Sequence, residues 1–69
     1  MDIKNEIKAY IVRSGYTMTE IIDMINKKYN RNDTVQNLSN KLSRGTIRYS
    51  EVLEIADIIG YEIKWIKKK

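Results

Sequence analysis

Three glycines, Gly15, Gly45 and Gly60, and no proline punctuate this 69-residue chain. Each glycine closes a run in which apolar residues recur every three or four positions, the spacing of one helix face. The absence of proline suits a domain made mostly of helices. Residues Asp2 to Arg13 read as the first helix. Ile3, Ile7, Tyr10 and Ile11 share one side, and Lys4, Glu6, Lys8 and Arg13 point away. Asp2 lies at the positive end of the helix dipole, and Ser14-Gly15 ends the helix, with Gly15 free to turn left-handed. Thr17 and Glu20 have the spacing of a capping box and open the second helix. Its inner stripe is Met18, Ile21, Ile22 and Ile25, with the methionine as core filler. Lys27 and Lys28 fall near its negative end.

Tyr29 to Asn32 form a polar connector, and Asp33 or Asn32 is expected to cap a third helix over residues 33–44. Thr46, Ile47 and Arg48 then cross to a fourth helix running to about Ile59. Its expected inner positions are Tyr49, Val52, Leu53, Ala56 and Ile59, with Ile55 and Ile58 at the borders. Glu51, Glu54 and Asp57 form an acidic, solvated outer face, and Gly60 stops the helix. Beyond it the period changes. Tyr61, Ile63 and Trp65 alternate with Glu62, Lys64 and Ile66, and β-branched and aromatic residues at period two predict a strand. A lone strand leaves its backbone groups unpaired, so its expected partner is the same strand of a second copy. The expected fold is therefore mainly α: a compact four-helix domain over residues 1–60, then one short β-strand and basic tail over 61–69. Tyr61, Ile63 and Trp65 would form the dimer joint, with the tail folding onto its own first helix as the alternative.

The third helix carries the chemistry. At about 100° per residue, Val35, Leu38 and Leu42 fall on one side. Gln36, Asn40 and Arg44 fall on the other, flanked by Asn37 and Ser43. This outer face holds no carboxylate. An ordinary solvated face mixes Glu and Lys, which are good helix formers, whereas Asn and Ser are poor ones. Amides bond adenine and Arg bonds guanine in the major groove, so the face has the composition of a base-reading surface. A neutral helix face rich in amides by chance is the plainer alternative.

The net charge of +4 conceals a segregation along the chain. Residues 27–48 hold Lys27, Lys28, Arg31, Lys41, Arg44 and Arg48 against Asp33 alone, which is +5. Residues 49–62 hold Glu51, Glu54, Asp57 and Glu62, which is −4. A basic segment around an amide-rich helix is the electrostatic footprint of a polyanion partner.

There is no cysteine and no histidine, so disulfides, thiol chemistry and the common zinc sites are excluded and neither metal nor cofactor is expected. The nine carboxylates lie on helical faces without a catalytic pair, and the chain is not expected to be an enzyme. No apolar run reaches the roughly 20 residues of a membrane span, and no signal peptide is expected. A soluble cytosolic protein without a small-molecule ligand follows from these readings. A chain of this size buries only about 60 per cent of its unfolded surface, so its stability is marginal.

Several segments together resemble the phage-repressor and Cro-like helix-turn-helix family, over residues 3–60. They are Thr17-Met18-Thr19-Glu20-Ile21-Ile22, Gln36, Leu42-Ser43-Arg44-Gly45 and Ile55-Ala56-Asp57-Ile58-Ile59-Gly60. The resemblance implies that the second helix crosses the DNA backbone and the third enters the major groove. By position it assigns base contacts to Gln36, Asn37 and Asn40, and backbone contacts to Thr34, Lys41, Arg44, Thr46 and Arg48. Two features depart from that family: the 29–32 connector is long and lacks glycine, and the connector after Gly45 is short. A strand pairing across a dimer resembles antitoxin-type repressors. The leading expectation is a homodimeric transcriptional regulator that binds a palindromic double-stranded DNA operator. The alternative is a protein-interaction module on the same fold, such as a phage-encoded inhibitor, without DNA readout.

Overall fold

The structure is a computed structural model and describes residues 2–69. Four helices follow in order: α1 Ile3–Ser14, α2 Met18–Tyr29, α3 Val35–Arg44 and α4 Tyr49–Ile58. An extended tail runs from Tyr61. Helix α2 packs on α4 and on α3, and α1 packs on α3. No helix among the described residues is long and apolar enough to cross a membrane.

The helix starts are built locally. The Asp2 carboxylate accepts the Lys4 N–H at 3.0 Å. Thr17 and Glu20 form the reciprocal capping box, with Glu20 N–H donating to Thr17 Oγ1 at 3.1 Å and Thr17 N–H donating to Glu20 Oε1 at 2.9 Å. The Ser14 hydroxyl donates to the Ile11 carbonyl at 2.6 Å and joins α1, and Gly15 ends it at φ 80°. Replacing such a cap by alanine costs about 1 kcal/mol.

The inner stripes meet in one core of Ile7, Ile11, Ile21, Ile22, Ile25, Leu38, Leu42, Ile47 and Ile55. Ile21 and Leu42 are fully enclosed, at 0% and 1% exposure. Met18 packs at its edge, which agrees with its reading as filler, and Met24 packs there too.

Three expectations are corrected. Thr34, and not Asp33 or Asn32, caps α3: its Oγ1 accepts the Asn37 N–H at 3.1 Å. Asp33 is held outside the helix because both its main-chain polar groups bond the side chain of Asn26. In α4 the buried centre is Ile55 with Ala56, while Tyr49 and Leu53 are 51% and 40% exposed. The rotation follows from Glu51, Glu54 and Asp57. Glu51 and Glu54, with side chains 19% and 20% exposed, pair with Lys41 and Arg31, while Asp57 stays solvated at 56% and pairs with Lys28.

The third correction concerns residues 61–66: no strand forms among the described residues. A ladder needs a second strand, and this single chain offers none. The tail instead returns over α1 and α4. Gly60, at φ 87°, turns the chain, and Tyr61 N–H donates to the Ala56 carbonyl at 2.8 Å. The Tyr61 ring meets Tyr10 edge-to-face at 5.1 Å. Trp65 Nε1 donates to Tyr49 Oη at 3.1 Å. A groove of about 590 Å³ lies between tail and helices, lined by Ile3, Ile7, Tyr10, Tyr49, Ile59 and Ile63 among others.

Ile21→Ala empties the centre of this core, where truncations cost about 2–5 kcal/mol. A domain of this size has about 3–10 kcal/mol in all. The variant should therefore lose most of its stability, read as a large fall in the urea midpoint followed by circular dichroism at 222 nm.

Candidate nucleic-acid interface

Helix α3 is anchored from behind by Leu38 and Leu42, which are buried, and by the half-buried Val35. This fixes the opposite side outward, and Gln36, Asn37, Asn40, Ser43 and Arg44 are all exposed there. Gln36 Nε2 donates to Asn40 Oδ1 at 3.2 Å. Both residues are exposed, and the bond leaves the Gln36 carbonyl oxygen and the Asn40 amino group available to other partners. Thr34 sits at the N-terminal end of the face. Gly45, at φ 67°, closes the C-terminal end, and Thr46 N–H donates back to the Lys41 carbonyl at 2.9 Å. Thr46 and the Arg48 side chain are exposed just beyond.

The structure thus gathers Gln36, Asn37, Asn40 and Arg44 on one face, with Thr34 before it and Thr46 and Arg48 after it. Lys41 lies on the flank turned toward α4. Its Nζ donates to Glu51 Oε2 at 2.6 Å. Tyr61, Ile63 and Trp65 belong to the separate surface formed by α1, α4 and the tail.

The electrostatics are less one-sided than the segment charge implies. Lys28 pairs with Asp57. Arg31 holds Glu54 through two bonds, at 2.7 and 3.1 Å, and Asp33 at 3.0 Å. Lys41 holds Glu51. Of the six cations of residues 27–48, Lys27, Arg44 and Arg48 have no carboxylate partner among the described residues. Two of these, Arg44 and Arg48, stand at the C-terminal end of α3.

The ion pairs leave a mark on protonation. Burial pushes the Glu51 carboxyl up, but the hydrogen bonds from Lys41 Nζ and from Arg48 N–H together hold it below its ordinary value. The bond to Glu54 raises the Arg31 guanidinium against the opposing effect of burial. The bond to Asp57 likewise raises Lys28.

Two residues that the sequence reading did not single out complete the site. Asn26 bonds the main chain of Asp33, with Nδ2 donating to its carbonyl at 3.0 Å and Oδ1 accepting its N–H at 2.8 Å. Arg31, within the same connector, ties it to α4 through Glu54. An asparagine inside a helix is a weak former of that helix, and this is the only signal Asn26 carries in the sequence. A further division is clear among the large exposed apolar side chains. Ile3, Tyr10, Val12, Tyr16, Tyr49, Leu53, Tyr61, Ile63, Trp65 and Ile66 lie on α1, the turn after it, α4 and the tail, and none of them lies on α2 or α3.

No protein family, curated protein or solved structure matches this chain.

A carboxyl held low in the fold stabilises above its unfolded value, about 4.3 for Glu, and that contribution is lost as pH falls through the lower folded value. Stability of the wild type should therefore rise with pH across this acid range. Glu51→Gln should flatten that rise, as read from urea midpoints measured at a series of acid pH values.

Proposed function

We propose that this chain is a sequence-specific double-stranded DNA-binding protein, a homodimeric transcriptional regulator that lays α3 in the major groove. One observation carries the reading. The exposed side of α3 is Gln36, Asn37, Asn40, Ser43 and Arg44, free of carboxylate, on a helix whose other side is locked in the core. Gln36, Asn37 and Asn40 take the base edges. Arg44, Thr46 and Arg48 at one end, with Thr34 at the other, take phosphates. Lys41 joins them by exchanging Glu51 for a phosphate. The resemblance of the sequence to phage repressors supports the same arrangement, and cytoplasmic action on DNA goes with it.

A second reading rests on the ion pairs. With Lys28, Arg31 and Lys41 already neutralised, the face attracts DNA less than its sequence implies. A protein-interaction module using the apolar side of α1, α4 and the tail would fit. Duplex binding separates the two. Each phosphate neutralised contributes about −0.9 to the slope of log K against log salt. The three cations that take phosphates, Lys41, Arg44 and Arg48, set a slope of roughly −2 to −3 per protomer, measured by fluorescence anisotropy on a labelled duplex. Selection from a random duplex pool should yield a palindrome with half-sites about 34 Å apart. In the same experiment Gln36→Ala should relax one position of each half-site, by about 1–3 kcal/mol of discrimination, while non-specific affinity stays. Binding indifferent to salt would leave the interaction module standing.

The dimer joint belongs to the tail. Tyr61, Ile63 and Trp65 of two copies would meet there, pairing along the backbone beyond Tyr61, whose own N–H is held by the Ala56 carbonyl, and bringing together the aromatic area of Trp65 that the monomer leaves exposed. Trp65 and Ile66 are 88% and 86% exposed, so replacing both by Ser should cost the monomer little beyond the Trp65–Tyr49 hydrogen bond, no more than about 1.5 kcal/mol. Sedimentation should show the double variant as a monomer at concentrations where the wild type is a dimer. A variant that stays dimeric would move the joint elsewhere.

A further inference from the structure

We infer that Asn26 is the positioning residue that sets how α3 is presented to DNA, an inference that rests on the reading of α3 as a base-reading helix. The connector between α2 and α3 contains no glycine, and its course is imposed by side chains. Asn30 reverses the chain in the left-handed region at φ 53°. The main-chain carbonyl of Asn26 accepts the N–H of Asn30 and, at 3.1 Å, that of Arg31. The Asn26 side chain accepts the N–H of Asp33 and donates to its carbonyl. One residue in the third turn of α2 thus holds both ends of the connector. Asp33 lies directly before Thr34, the cap of α3, so the second attachment fixes where α3 begins.

The chemistry requires a primary amide of this length. Aspartate offers two acceptors and would set one against the Asp33 carbonyl. Alanine reaches neither group. Arg31, within the connector, reinforces it through Glu54 of α4, at 2.7 and 3.1 Å. The core contacts of Leu38 and Leu42 hold the middle and end of α3 whatever happens at position 26. The clamp therefore governs the N-terminal half, where Gln36 and Asn37 project. Its loss should loosen base readout more than the phosphate contacts at Arg44 and Arg48.

The test compares wild type, Asn26→Ala, Asn26→Asp and Asp33→Ala at equal folded fraction. Alanine is the better helix former, so a defect in Asn26→Ala does not come from a weakened α2. Residual dipolar couplings of α3 amides, taken against the frame of α1 and α2, report the orientation of α3 without any DNA. The affinity ratio between the selected and a scrambled duplex reports readout. In Asn26→Ala the couplings of residues 35–38 should change and the ratio should fall by about tenfold, the size of one lost base contact, with scrambled-duplex affinity unchanged. Asn26→Asp, which keeps one of the two bonds, should lie between. Asp33→Ala keeps both clamp bonds, which go to main-chain atoms, and loses only the Arg31–Asp33 ion pair at 3.0 Å, so it should change both readouts less than Asn26→Ala does. Unchanged couplings in Asn26→Ala overturn the inference, and so do changed couplings with an unchanged ratio. A wild type that does not discriminate between the two duplexes overturns the DNA reading, and the role of Asn26 in recognition falls with it. The couplings separate that failure from a failure of the clamp.

Discussion

Three acidic residues of α4, spaced three apart, face three cations carried by α2, the connector and α3, and the arrangement of the molecule depends on this alignment. Exposed ion pairs contribute little stability, about 0–1 kcal/mol each. The Lys28–Asp57 pair, with side chains 49% and 56% exposed, is of that kind. The bidentate Arg31–Glu54 pair is more enclosed, with Glu54 20% exposed, and its two parallel bonds add geometric specificity. Their joint effect is directional. Helix α4 is apolar at Val52, Leu53, Ile55, Ala56, Ile58 and Ile59, and hydrophobic burial alone allows it several rotations about its axis. The row of carboxylates selects the one that buries Ile55 and leaves Tyr49 and Leu53 outside.

That selection also explains what was legible in the sequence. The capping box of Thr17 and Glu20 and the core stripe of α3 were legible because they are settled within one or two helical turns. The four helices and their order followed from the same local signals. The rotation of α4 was not, since its stripe is too broad to have a unique centre. The groups that fix it lie 10, 23 and 29 residues away in sequence, at Lys41, Arg31 and Lys28. The cap of α3 failed for a similar reason. Asn32, Asp33 and Thr34 are all good caps, and only the engagement of Asp33 by Asn26 passes the role to Thr34.

The tail shows the limit of period-two patterns. Alternation describes which side chains share a face, and the tail does not keep it: Tyr61, Glu62, Ile63 and Lys64 all line the groove, while Trp65 and Ile66 are exposed. A strand, moreover, is defined by backbone pairing, and that depends on a partner that no pattern of side chains supplies. The same distinction applies to charge. The +5 of residues 27–48 is a property of the sequence, but α4 answers half of its cations. The amide face was legible in the sequence, while its electrostatic surroundings became clear only once α4 was in place.

Helix α3 consequently stands between two kinds of constraint. Behind it, Leu38 and Leu42 supply burial, which is strong and nearly non-directional. Around its start, Thr34, Asn26 and Arg31 supply hydrogen bonds, which are individually weak but directional. A helix meant only to complete a core needs the first kind alone. Helix α3 also has its entry fixed by a pair of amide bonds, a bidentate guanidinium and a side-chain cap, all supplied by residues of the nine-residue stretch from Asn26 to Thr34. On its free side it gives up helix propensity for Asn37, Asn40 and Ser43. Propensity surrendered on the outside and direction enforced at the entry are both costs to stability or sequence freedom. They are reconciled if the outer face must meet a rigid, directional partner, and the donor and acceptor pattern of duplex base edges is such a partner.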